Sequence, residues 1–291
     1  MNDNPTQREF LISAYPAAAA LAQRGDLVTA KDGPVTTRFM RSHSFLIGWS
    51  EIDKGPAKLE IDSPAEYFLL LPDVGATISW SGGEMKAAGR SVCIIPAGRS
   101  TVHIAETGTC IRLFSPVPAA LANIAVYGAG LGGPIPALRP VKPYRRTKNP
   151  GQPVVHLLAE MPNSVGMPRA KLFQTETMSI NWVEYQGPRD RTHLSPHFHT
   201  DIEQASIAVE GEFTHHYRTT WTIDANKWRP DEHILAAPGT IALIPPPIIH
   251  TSEGVGPTRH ILIDVFSPPR SDFVAKGQVL NSGDYQAPAD A

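Results

Sequence analysis

Three short segments recur in the same order in the two halves of the chain, and that order constrains the fold more than any single residue. Ile47-Gly48-Trp49-Ser50-Glu51 is answered by Ile180-Asn181-Trp182-Val183-Glu184. Gly89-Arg90-Ser91-Val92-Cys93-Ile94-Ile95-Pro96 is answered by Gly239-Thr240-Ile241-Ala242-Leu243-Ile244-Pro245. Leu113-Phe114-Ser115-Pro116 is answered by Val265-Phe266-Ser267-Pro268. Each segment reads as a strand, and an ordered set of matches is the mark of a duplicated domain. The 28 prolines and 23 glycines punctuate the chain heavily and favour short strands and turns over long helices.

The pattern predicts an all-β protein with a few short peripheral helices, placed at residues 17–23, 118–126 and 271–276. Strands are expected at 178–186, 204–210, 240–244 and 260–266. A further strand is expected from Glu212 to Ile223, returning from Trp228 after the polar turn Asp224-Ala225-Asn226-Lys227. The expected division is a first domain at 1–126, a Gly/Pro-rich connector at 127–155 and a second domain at 156–291. The basic side chains of the connector, Lys142, Arg145, Arg146 and Lys148, are expected in solvent.

Composition narrows the partners. The formal net charge is −2, from 26 basic and 28 acidic residues, which gives no field for nucleic acid and no polybasic patch for a membrane surface. No apolar run reaches the ~18 residues of a spanning helix. The opening residues lack the charged-then-apolar layout of a signal peptide. Cys93 and Cys110 sit in apolar runs and are expected as buried core thiols, so a cytoplasmic setting is expected.

The chemistry concentrates in the second half, where eight of the 11 histidines lie between His193 and His260. His197 and His199, at i and i+2, point to one side of a strand. His250 ends an apolar run, and closure of the sheet would bring it back over that pair. Three imidazoles in such a group are a ligand set for a first-row divalent metal.

These residues resemble the cupin superfamily, whose fold is a double-sheet jelly roll. The family's first motif is Gly, His-x-His, three or four residues, Glu, six residues, Gly; His197, His199 and Gly211 match it. Its second is Gly, five residues, Pro-x-Gly, two residues, His; Gly239, Pro245 and His250 match, with Pro247 in place of the middle glycine. The asparagine that often follows is absent, and Glu253 and Gly254 occupy that region. The resemblance covers roughly 178–273 and implies two tandem double-stranded β-helix barrels, a bicupin of the RmlC-like kind. Aligned on Gly75, the first half has Ile61, Ser63 and Phe68 at the ligand positions, which implies a first barrel without metal, kept for packing, dimerisation or as a lid.

The fourth ligand stays open between two neighbours. Counting back from Gly211 gives Gln204, whereas the family's usual residue type is present one position earlier, at Glu203. Alternation would send the two to opposite faces. A binding interior is often the more polar one, which favours Gln204, while a bulge would turn Glu203 inward. The strand after Gly211 often borders the pocket in cupins. That makes Tyr217 and whichever of the consecutive His215 and His216 faces inward, taken as His216, candidates for moving a proton, with Glu210, which shares Gln204's face if the strand is regular, as a third; Arg218 and Trp221 are candidates for holding substrate. His193 is expected at the rim, and His233 and His260 in structural or exposed places. Trp221 and Trp228 are as readily cross-strand packing.

The expected cofactor is one divalent metal, Fe, Mn, Ni or Zn. The expected partner is a small, anionic molecule, and a homodimer is left open. The first functional expectation is a mononuclear non-haem dioxygenase acting on a small organic acid or phenol. The alternative is a redox-silent isomerase or lyase on a sugar acid or related anion. A ligand-binding cupin with a structural metal is the third. Fold and metal alone do not choose among them.

Overall fold

The computed structural model describes residues 19–127, 135–221 and 224–289. Pairings between its strands are antiparallel. The first half builds a seven-stranded sheet, in the order Val154–Leu157, Ser91–Ile95, Tyr67–Leu71, Gly108–Phe114, Leu46–Ile52, Val35–Arg41 and Val28–Asp32. A four-stranded sheet, Ala57–Ser63, Gly98–Ile104, Ala76–Trp80 and Gly83–Ala87, accompanies it. The second half repeats the plan. Its large sheet runs Ala20–Ala22, Ile241–Ile244, Glu203–Glu210, Arg259–Ser267, Ser179–Gln186 and Ala170–Gln174, and its small one Glu232–Ala236, Glu212–Arg218 and Ile249–Val255.

The central strands are apolar on both faces because both faces are buried. In Ser91–Ile95 all five residues are buried. Val92 and Ile94 enter a core that also holds Ala205, Ile207, Ile241, Leu243, Ile261, Ile263 and Val265 of the second half. Cys93 and Ile95 point the other way, into the first barrel, with Tyr67, Leu69, Cys110 and Phe114. The large sheets of the two halves therefore share one core, which also takes in Trp49, Phe68, Ile180 and Trp182. Both cysteines are free and buried, as their apolar surroundings led us to expect.

Two strands are exchanged across this arrangement. Ala20–Ala22 pairs with Ile241–Ile244 of the second barrel, and Val154–Leu157 pairs with Ser91–Ile95 of the first. A strand thus stands where a helix was expected at 17–23, of which Ala17 and Ala18 lie outside the described residues; pairing with a sheet edge overrides the local helical preference. The expected boundary at 155 falls inside the second exchanged strand. At 118–126 only the turn Ala119–Leu121 is helical, whereas Ser271–Ala275 is an α-helix. In the connector, Arg146 is not in solvent: its Nη1 donates to Glu66 Oε1 at 2.7 Å, and both side chains are buried.

The repeat is visible in the joints between barrels. Ser115 Oγ lies 3.0 Å from Ser267 Oγ. Ser115 Oγ donates to Ser44 O at 2.8 Å and Ser267 Oγ to Thr177 O at 3.1 Å. Matching turns precede the matching strands, with Ser42 N bonded to Phe45 O and Thr175 N to Met178 O.

Strand register fixes which residues of the two barrels correspond. Tyr67 pairs with Phe114 as Gln204 pairs with Phe266, and Ile61 pairs with Ser100 as His197 bridges His250. The counterpart of Gln204 is therefore Tyr67, not Phe68, because the segment leading to Gly75 is one residue longer than the one leading to Gly211. Tyr67 Oη contacts Ser100 Oγ at 2.9 Å inside the first barrel. A tyrosine, a serine and an isoleucine stand where the second barrel has Gln204, His250 and His197.

Candidate metal centre

Alternation along the large sheet of the second half decides what the barrel interior contains. The residues that face away from the shared core are Gln204, Ser206 and Ala208 on one strand, Leu262, Asp264 and Phe266 on the next, and Asn181, Val183 and Tyr185 on the third. Against them the segment at 197–199 and the strand Ile249–Val255 bring up the histidines. His197 N donates to His250 O at 3.0 Å, and His250 N to His197 O at 2.8 Å, so the two segments are locked in register.

His197, His199 and His250 meet: the ligand atoms they offer all lie within 4.8 Å of one another. His199 and His250 are buried, and His197 is open to solvent. Burial holds both His199 and His250 down to about 3, with the Arg270 guanidinium adding to the effect, so each ring carries one proton at neutral pH. In His250 that proton is committed, because Nδ1–H donates to Ile248 O at 2.9 Å. His197 Nδ1–H donates likewise to Ser195 O at 2.8 Å. Both rings thereby present an Nε2 lone pair, which is the tautomer and orientation a ligated imidazole needs.

Gln204 completes the cluster. Its Nε2 donates to Asp264 Oδ1 at 3.1 Å and to Ser206 Oγ at 3.2 Å. Ser206 Oγ donates to the same Asp264 oxygen at 2.5 Å. Its Oε1 is thereby turned to His199 Nε2 at 2.8 Å and His250 Nε2 at 2.9 Å. At His250 the contact sets an oxygen lone pair against a nitrogen lone pair. Two acceptors at that separation repel unless a positive charge lies beside them, so the donor set fits a divalent cation. Burial pushes the Asp264 carboxyl up, against the hydrogen bonds from Ser206 and Gln204.

Glu203 has a different fate. Its carboxylate is turned to the opposite face, where Ser44 N donates to Oε2 at 2.8 Å and His43 Nδ1 lies 3.2 Å from Oε1. Glu203 is fully buried in the joint between barrels and does not reach the three histidines. The strand is regular at this point; its bulge lies further on, between Ala208 and Glu210. Beyond that bulge Glu210 is at the surface, paired with Arg259 Nη2 at 2.6 Å, and is not in the barrel interior.

The strand after Gly211 also places its side chains differently from the sequence expectation. His216 points outward to His233 Nδ1 at 2.7 Å and Glu253 Oε2 at 3.1 Å, while its neighbour His215 points in. Tyr217 does face inward and is buried, yet its hydroxyl has no hydrogen-bond partner among the described residues. Arg218 is exposed and held by Asp231 at 2.5 Å, so it does not enter the cavity. Trp221 stacks on Trp228 at 4.5 Å on the outside of the barrel. For His216 and Arg218 the physical reason is alternation, since the strand's inward positions are 213, 215 and 217 and its other face meets water, whereas Trp221 lies past the strand's end. His193 lies at the surface with Asp190, His233 is exposed, and His260 is buried with Nε2 donating to Val255 O.

The cluster opens into a cavity of about 560 Å³ lined by His197, Gln204, His250 and Asp264, with apolar walls from Val183, Leu262, Phe266 and Phe273. Arg270 also lines it, fixed by two hydrogen bonds to Asp272 at 2.7 and 2.8 Å and stacked 3.9 Å from the Phe273 ring centroid. Asp264 and Arg270 were not singled out from the sequence. Asp264 had a signal: it is the one acidic residue in the apolar run Ile261-Leu262-Ile263-Asp264-Val265-Phe266. Arg270 had none, because it lies past the strand end.

Two tandem antiparallel barrels, with a histidine cluster inside the second, define a bicupin fold. Solved structures agree. The fold is similar to oxalate decarboxylase from Lactobacillus farciminis, solved as a formate complex, with TM-score 0.59, 14% identity and 87% of each chain covered. It is similar to Bacillus subtilis oxalate decarboxylase, seen in a two-residue deletion mutant with TM-score 0.55, 12% identity and 85% of this chain against 76% of that one covered. A further Bacillus subtilis structure, reported for its Mn(II) centres, gives TM-score 0.56 at 11% identity, covering 85% and 77%. No family model matches the chain, and no curated protein matches its sequence. No helix among the described residues is long and apolar enough to cross a membrane.

Proposed function

We propose that the chain is a divalent-metal-dependent cupin enzyme that carries out redox-silent chemistry, of the lyase or isomerase kind, on a small organic anion. The single observation behind this reading is the contact between Gln204 Oε1 and His250 Nε2 at 2.9 Å, two acceptors turned to one point. His197, His199, His250 and Gln204 would hold the ion. This ligand set is neutral, so the ion's positive charge is not cancelled and an anionic substrate is favoured. A bound divalent cation would supply Lewis-acid polarisation of a carboxylate or carbonyl oxygen.

The chain's own residues do the rest. Asp264 and Ser206 fix the Gln204 amide so that its oxygen, not its nitrogen, faces the imidazoles. Ser195 O and Ile248 O fix the tautomers of His197 and His250. Arg270, immobilised by Asp272, sets a positive wall beside the cluster, and Phe266 and Leu262 keep water off one side of it. The solved neighbours support the lyase reading over the dioxygenase one, since they are decarboxylases and one is described by its Mn(II) centres.

The test is turnover of a panel of short carboxylic acids, oxalate included, by protein reconstituted separately with Mn, Fe, Ni and Zn, followed by NMR and an oxygen electrode. The expected result is acid consumption without oxygen uptake, abolished by a chelator and by His250→Ala. Oxygen uptake in step with acid consumption would return the protein to the dioxygenase reading.

A further inference from the structure

Two arginines line the metal-centre cavity without an ion pair among the described residues. Arg169 and Arg189 both contribute to its wall, together with Tyr185. Their guanidinium carbons lie 5.8 and 5.9 Å from the Tyr185 ring centroid, so two cations share one aromatic ring. Among the described residues neither arginine is in an ion pair; the cavity's other arginine, Arg270, is bound to Asp272. Arg189 Nε is buried and has no hydrogen-bond partner, and its Nη2 reaches only the carbonyl of His193 at 3.1 Å. Arg189 is half-buried with an unused donor, and Arg169 is exposed and adds a second positive charge beside it, so an anion placed between them would satisfy that donor and meet both charges.

Cavity size points the same way. About 560 Å³ is the volume of pockets that take ligands of drug size, far more than a two-carbon acid fills. On the strands, the pair Val183 and Leu262 stands between the pair Asn181 and Asp264 and Tyr185, and gives the cavity an apolar patch there; Met167 and Pro168, on the loop before Ala170, also line it.

We propose that Arg169 and Arg189 form a distal carboxylate subsite, so that the substrate is a dianion with one anionic end at the metal centre and a terminal carboxylate between the two arginines, separated by an apolar segment. Planar guanidinium forks match a carboxylate in bidentate fashion. This inference rests on the metal-enzyme reading for the near end and deepens it by naming the substrate class.

The experiment compares adipate with hexanoate, acids of equal length that differ in the second carboxylate, by calorimetric titration of the protein with and without Mn(II). The expected result is adipate binding at least about tenfold tighter than hexanoate, the preference falling to near unity in Arg169→Gln/Arg189→Gln. Hexanoate affinity should be unchanged by that double substitution. Arg189→Lys keeps the charge but loses the fork, and is expected to retain only part of the preference; thermal melting checks that each variant is folded. Equal affinity for the two acids, or no binding of either at millimolar concentration, overturns the subsite. The same outcome follows if the preference survives in the folded double variant. Failure of the metal-enzyme reading shows separately, as hexanoate affinity that Mn(II) does not change.

Discussion

At Glu203 and Gln204 neighbouring side chains with similar reach serve different parts of the molecule, because alternation sends one to each face of the strand. The two substitutions should therefore separate cleanly. Gln204→Leu is expected to lower divalent-metal affinity by about 10–100-fold, measured by metal titration, with little change in the urea midpoint. Glu203→Ala is expected to do the reverse. It removes the carboxylate that Ser44 N and His43 share in a buried joint, at a cost of about 1–3 kcal/mol in urea denaturation, and leaves metal affinity intact. Asp264→Asn tests the residue that orients the amide. An asparagine offers Gln204 Nε2 a weaker and reversible acceptor, so metal affinity should again fall by about 10–100-fold. Unchanged affinity would show that Asp264 does not set the Gln204 orientation.

At the scale of elements, the strand Glu212–Arg218 shows what the sequence could and could not disclose. Its existence was legible from apolar alternation after Gly211. Its facing was not, because His215 and His216 are adjacent and chemically alike, and only the pairing of Phe213 with Gly254 and Ala236 decides which turns inward. The His197, His199 and His250 trio was legible because its spacing is tied to strand geometry. Asp264 and the arginines of the cavity were not, since they come from strands and loops whose neighbours are set by sheet order rather than by distance along the chain. His215 also gives this element a pH dependence. Burial pushes its imidazole down to about 4, so it stays neutral in the folded protein where the unfolded chain takes a proton. Its stabilising contribution is complete above the ordinary histidine range, declines as pH falls through the interval down to about 4, and amounts to at most about 3 kcal/mol. Urea midpoints of metal-free protein at about pH 7.5 and about pH 4.5 should differ less in His215→Gln than in the parent. An equal difference would show that His215 is protonated in the fold or does not resist protonation.

At the scale of the whole molecule, duplication, exchanged strands and a common core make the two barrels one folding unit. The three ordered matches lie on equivalent strands of the two large sheets, so the repeat was readable in sequence. The exchange of Ala20–Ala22 and Val154–Leu157 was not, because edge strands of three and four residues carry almost no periodic signal. Calorimetry should show a single unfolding transition, and Ile263→Ala in the shared core should lower stability by about 2–5 kcal/mol without splitting it. Two transitions would mean that the barrels are stable separately. The metal centre then belongs to one of two barrels that share a core, with Ile61, Tyr67 and Ser100 of the other in the corresponding places. The most direct test of that assignment is the metal content of protein purified without chelator and dialysed against Mn(II), for the parent and for His250→Ala. The account predicts about one ion per chain in the parent and loss of that ion in the variant. The same metal content in both proteins would contradict it.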